Sequence, residues 1–133
     1  MRVLTKKQSK IIDKISIENY KISQESLMTA AAKGIVNHIE NYSSFIDKKP
    51  RIFIVCGKGN NGGDAICAAN ILIKKGYDLH VHFLIEKNKI SSLLKKYYKE
   101  YIKVSDQISF GSELKKYNGF DLLIDGMIGI GFR

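Results

Sequence analysis

The stretch Arg51-Ile52-Phe53-Ile54-Val55-Cys56-Gly57-Lys58-Gly59-Asn60-Asn61-Gly62-Gly63-Asp64 decides the fold. Its first six residues are short, β-branched and apolar on both faces, the pattern of a strand buried in a parallel sheet. Gly57 through Gly63 then reads as a turn. From Asp64 to Lys75, Ile66, Ala69, Ile71 and Ile73 recur at helical spacing until Gly76 supplies a stop. The segment satisfies G-x-G-x-x-G directly after a strand and at the opening of a helix, which is the context that gives the match meaning. Glycines let a backbone turn sharply and approach a ligand, and the amides and positive dipole of a helix start favour an anion such as a phosphate. A Walker loop is excluded, because Gly-Gly-Asp stands where Gly-Lys-Ser/Thr is required.

The same alternation continues downstream. Leu79 to Ile85 reads as a second strand, Ser91 to Tyr101 as a lysine-rich amphipathic helix, Ser112 to Tyr117 as a short helix and Phe120 to Asp125 as a third strand. Upstream, Thr5 with Gln8 forms a capping-box signal ahead of Ile11, Ile12 and Ile15, which predicts a helix from about Thr5 to Asn19. Leu27, Ala31, Ile35 and Ile39 step by four, which predicts a second from about Ser23 to Tyr42. Strands alternating with helices give an α/β class: a Rossmann-like, three-layer parallel sheet with two preceding helices. In a doubly wound sheet of order 3-2-1-4-5, a chain with three strands would leave Arg51 to Cys56 with one unpaired side, an invitation to pair with another chain.

Asp125 closes the third strand and is followed by Gly126, Gly129 and Gly131, so a second glycine-rich turn is expected at the carboxyl edge, where open α/β sheets bind ligands. Asp64 would cap its helix or line the site. Two such turns, with Asn61 and Asp125 beside them, offer oxygen ligands to a hard cation as well as N–H groups to an anion.

Cys-Gly-Lys-Gly-Asn-Asn-Gly-Gly-Asp (56–64) resembles the loop of the YjeF N-terminal domain family, the NAD(P)H-hydrate epimerases, and Asp125 to Gly131 resembles its second glycine-rich turn. Leu4-Thr5, Ile12-Asp13-Lys14, Ile17-Glu18 and Leu27-Met28 are similar to the family's two N-terminal helices, so the likeness spans the whole chain. The resemblance implies a metabolite-repair isomerase that interconverts the R and S epimers of hydrated NADH and NADPH (NAD(P)HX), with the nucleotide as substrate and not as hydride carrier. It implies substrate contacts at Asn60, Asn61, Gly62, Gly63 and Asp64 and at Gly129, Ile130, Gly131, Phe132 and Arg133, and a potassium ion on Asn61 and Asp125. The catalytic group is unassigned, with Asp64 and Asp125 as candidates. Thr29, Ile130 and Ala65 depart from the family's usual residues. Family members continue into further strands and an Asp-x-Pro-Ser-Gly-like motif, so the expectation is a single domain, residues 1–133, with its C-terminal half missing. A homodimer, or completion by a second chain, would then supply the rest. The alternatives are a non-catalytic ligand-binding or scaffold module and a degenerate fragment of the epimerase.

Composition narrows the remaining classes. At 133 residues, 44% hydrophobic and with one proline, the chain can build one core. It contains no run of roughly 18–20 apolar residues and no signal-like start, so the expectation is a cytoplasmic protein without a membrane span. The net charge of +9 suggests nucleic acid, but only three of the 22 basic residues are arginine (Arg2, Arg51 and Arg133) and the lysines scatter in ones and twos. A nucleic-acid partner is therefore disfavoured. Cys56 and Cys67 form no CxxC pair and read as small core residues. His80 and His82 share one face of a strand and read as packing or surface residues.

Overall fold

The computed structural model describes residues 3–42, 47–114 and 117–129. Helices α1 (Lys6–Glu18) and α2 (Gln24–Glu40) precede β1 (Ile52–Cys56), α3 (Asn60–Lys74), β2 (Leu79–Phe83), α4 (Ser92–Tyr101), β3 (Ile108–Phe110) and β4 (Leu122–Gly126). The expected Rossmann-like α/β architecture is present. All four strands are parallel, in the order β3-β2-β1-β4. No helix among the described residues is long and apolar enough to cross a membrane.

Local chemistry sets the helix starts. Thr5 and Gln8 make the reciprocal capping box at α1, while the Ser23 and Ser91 hydroxyls accept from Ser26 N and Leu94 N at α2 and α4. The helix after β1 begins at Asn60, four residues earlier than its apolar spacing indicates. Asn60 to Gly63 are therefore its first turn and not part of a loop, and Asp64 lies beyond the capping position. Glycine's poor helix propensity hides this in the sequence, whereas the fold selects small residues there because Gly62 and Gly63 are fully buried.

Strand alternation divides the sheet into two faces. Ile52, Ile54, Cys56, Leu79, Val81 and Phe83 pack beneath α2, α3 and α4 in one core, with Ile108, Phe110, Leu122 and Ile124 at its margin. Cys56 and Cys67 are buried free thiols, as read from the sequence, and burial pushes the Cys56 thiol far above its ordinary range. The opposite face carries Phe53, His80 and His82, covered by Tyr117 and Phe120. The two coverings have one cause. Moving from β1 to β2 to β3 in one direction places both crossover helices on one side, and only the return to β4 brings the chain over the other side. That return carries aromatic side chains across Phe53, with ring centroids 4.4 Å (Tyr117) and 5.3 Å (Phe120) away.

Three expectations need correction. β3, only three residues long, is too short to show a period-2 pattern and was not anticipated. The short helix expected from Ser112 is absent over Ser112 to Leu114, while residues 115–116 lie outside the described residues. The strand ending in Asp125 is thus the fourth, and it pairs with β1 from Ile52↔Leu122 to Cys56↔Gly126, so β1 has partners on both sides. Among the described residues, β4 is the strand paired on one side next to the site. α1 also differs from a core helix: it has no buried residue, and Ile11, Ile12, Ile15 and Ile17 are each 40–46% exposed.

Candidate functional site

The strand order reverses between β1 and β4, and both glycine-rich turns emerge there at the carboxyl edge, the place where open α/β sheets leave a crevice. The ladder runs into the turns: Gly57 N donates to the Gly126 carbonyl at 2.9 Å. The turns pass so close that a Cβ on Gly57 would overlap the Met127 carbonyl. A side chain on Gly126 would likewise stand 2.5 Å from the Ala65 Cβ and 2.9 Å from the Asn61 carbonyl oxygen. The Ala65 methyl group thus fills the space that Gly126 leaves.

The polar side chains follow from this frame. Asn61, in the first turn of α3, donates through Nδ2 to the Ile128 carbonyl at 2.9 Å. Its Oδ1 faces the second turn, 3.4 Å from where a Cβ of Gly129 would sit. Asp125 is exposed at the end of β4 and accepts the Met127 amide on Oδ1 at 2.9 Å. Asn60 accepts from Gln24 Nε2 at 3.1 Å, which ties the start of α2 to the same helix end. Gly59 caps α3 without a side-chain hydrogen bond, so the first amides of the helix keep their donors for another partner.

Asn60 and Asn61 open onto a cavity of about 750 Å3 whose walls are Lys58 to Asn61, Asp64, Met127 to Gly129 and, from α1, Ser9, Lys10 and Asp13. A smaller pocket of about 170 Å3 adjoins it, sharing Asp13, Asn60 and Asp64 and reaching Gln24 and Met28. Burial pushes the half-buried Asp64 carboxyl up to about 6, and the nearby Asp13 charge pushes the same way. The structure therefore brings Asn60, Asn61, Asp64 and Gly129 to one cavity, with Gly62 and Gly63 buried behind it and Asp125 at the base of the second turn. Ile130, Gly131, Phe132 and Arg133 lie outside the described residues. Ser9, Lys10 and Asp13 were not expected at the site: Asp13 enters the sequence reading only through the likeness of Ile12-Asp13-Lys14 to the family's first helix, and the isoleucines of that helix draw attention to packing.

Asn61 and Asp125 carry side-chain oxygens on the two turns. Using Nδ2 on Ile128 orients the Asn61 amide with its oxygen free of that contact, and Asp125 spends one carboxylate oxygen on Met127. Among the described residues no group of three His, Cys, Asp or Glu side chains converges.

Comparison with known proteins bears on the family and the fold. The family model described as YjeF-related protein N-terminus matches residues 24–133. The NAD(P)H-hydrate epimerase of Dictyostelium discoideum is 27% identical over 136 residues, covering all of this chain and 56% of its own length. That of Plasmodium knowlesi is 37% identical over 114 residues, 82% of this chain and 37% of the relative. The bifunctional NAD(P)H-hydrate repair enzyme of Thermofilum pendens is 27% identical over 98% of this chain and 26% of its own. In the crystal structure of yeast YNL200c the same fold covers all of this chain and 59% of the yeast chain, at 20% identity and a TM-score of 0.79. The chain thus spans about half the length of the epimerases it matches, or less.

Proposed function

Since this chain belongs to the family of the YjeF-related protein N-terminus, we propose that its two glycine-rich turns bind hydrated NADH or NADPH and that the domain serves the interconversion of their R and S epimers. The observation that carries this reading is the joining of the two turns, by Asn61 to Ile128 and by Gly57 against Met127, around one large cavity at the helix start. The first-turn amides of α3, with Lys58 and Lys10 on the walls, suit the pyrophosphate of a dinucleotide, because fixed dipoles and cations stabilise anionic oxygens without reorganising.

Inverting a stereocentre requires one bond to be broken and remade from the other face, with a proton taken and returned. Asp64 fits that task in position and in acidity. It lines the cavity, and a carboxyl near 6 exchanges its proton close to neutral pH. Asp125 is the second candidate, at the mouth of the adjoining turn. Asn61 and Asp125 would hold a potassium ion, which when bound supplies positive charge against the substrate's phosphate and anchors both turns. The open side of β4 is where a second copy or a completing chain would add. The same reading has the reaction run in the cytoplasm.

Equilibration of purified NADHX epimers, followed by chromatography with and without the protein, tests the reading. The expected result is conversion above the spontaneous rate that Asp64→Asn removes. Binding of the nucleotide without acceleration would leave a ligand-binding module, and no binding at all would remove the assignment.

A further inference from the structure

Beside the large cavity lies the pocket of about 170 Å3 between α1, α2 and α3. Its apolar wall is Ile17, Leu27, Met28 and Ala31, and the carboxylates among the described residues that line it are Asp13 from α1 and Asp64 from α3. Asp13 and Ile17 stand four positions apart on α1 and so share the side of that helix that meets α2 and α3. A cavity of roughly 150 Å3 admits a benzene-sized ring. The recess thus fits one six-membered ring. Asp13 and Asp64 also line the large cavity, so a ligand whose phosphates lie at the first turn of α3 can reach the recess without leaving the site.

Resting on the nucleotide reading above, we propose that the hydrated nicotinamide ring enters this recess and that Asp13 is a second catalytic carboxyl, serving the ring face that Asp64 does not reach. Inversion needs two such groups. The hydroxyl leaves one face of the ring and returns on the other, and a side chain held on one face can handle only one of those events. One carboxyl gives its proton to the departing hydroxyl as the carbon–oxygen bond breaks. Water leaves, and the lone pair of the adjacent ring nitrogen shares the positive charge left on the carbon. A water then bonds to that carbon from the opposite face, and the other carboxylate takes the proton it sheds. One water goes out, one comes in, and one proton passes from the first carboxyl to the second. The reverse epimerisation starts from the exchanged state, so the same pair serves both directions.

The two carboxyls differ in surroundings. Asp64 is half-buried in α3, whereas Asp13 is exposed on α1. Burial first, and then the Asp13 charge, favour the proton on Asp64. Asp64 is thus the donor in the resting pair, and Asp13, open to solvent, stands where the incoming water arrives. The apolar wall holds the ring between them, and the first-turn amides of α3 hold the phosphates.

Two measurements on the whole chain separate this inference from the reading it rests on. In amide-resolved NMR, NADH should shift residues 57–65 together with Asp13, Ile17 and Met28, whereas ADP-ribose, which lacks the ring, should shift residues 57–65 alone. In the NADHX epimer assay, Asp13→Asn should lower kcat about 100-fold with KM little changed, and Asp13→Glu, which keeps a carboxyl, should restore part of the rate. Asp13 is exposed, so neither variant should lower the melting temperature. Equal shifts from NADH and ADP-ribose would refute the ring seat, and an Asp13→Asn variant as fast as wild type would refute the second carboxyl; nucleotide binding would stand in both cases. If neither ligand shifts residues 57–65, or the wild type does not accelerate epimerisation, the epimerase reading falls and this inference falls with it.

Discussion

The side-chain amide of Asn61 donates a 2.9 Å hydrogen bond to the carbonyl of Ile128, so the first turn of α3 and the turn after β4 hold each other across the carboxyl edge of the sheet. Asn61→Ala removes that tie while Ile128, at the surface, can take a water instead. The expected cost is about 1 kcal/mol in denaturant unfolding, with a much larger loss in NADP affinity. In the wild type, NADP should shift amides within residues 57–65. Shifts confined to other parts of the chain would remove the binding assignment.

Asp125 is exposed and holds the Met127 amide, so Asp125→Ala should leave the fold intact. It should also abolish any rise in melting temperature on replacing sodium by potassium. An equal potassium effect in both proteins would show that this carboxylate holds no cation.

Gly57→Ala tests the close passage of the two turns. The added methyl meets the Met127 carbonyl, which is backbone and cannot rotate away, so the turns must part. A destabilisation of about 2 kcal/mol is expected. A variant as stable as wild type would show that the second turn moves freely relative to the first.

Asp64 gives a pH-dependent term of definite sign. Its carboxyl rises from 3.8 to about 6 in the fold, mainly through burial, so between those values the folded state binds more protons than the unfolded one. Its contribution therefore declines as pH climbs from about 4 to about 6. Asp64→Asn removes that slope and should gain in melting temperature relative to wild type as pH is raised from 4 to 7. A difference independent of pH would contradict the raised pKa of Asp64 and the acid–base role resting on it.

Much of the site was legible because it is local. The run Gly57 to Asp64 names its own strand-to-helix junction, and the Thr5–Gln8 box, Ser23 and Ser91 mark helix starts through hydrogen bonds spanning three residues. The helix boundary at Asn60 was misread because glycine's backbone preference argues for a turn while burial against neighbouring elements demands a residue without a side chain. The role of Asp13 was hidden for another reason. A carboxylate on an exposed helix looks the same whether it faces solvent or the end of another helix some 50 positions away.

Composition, strand pattern and the two glycine motifs determined by themselves that this is a parallel α/β sheet with a polar site at its carboxyl edge. Only the tertiary structure decided that β4 lies beside β1. A period-2 pattern states which face a residue takes but not which strand stands next to it; that is settled by the crossover direction and by burying both edges of the most apolar strand. The same choice brings Asn61 to Ile128 and Tyr117 to Ser109, contacts whose partners are far apart in the chain or separated by a bend, and neither exists until the chain turns back across the sheet.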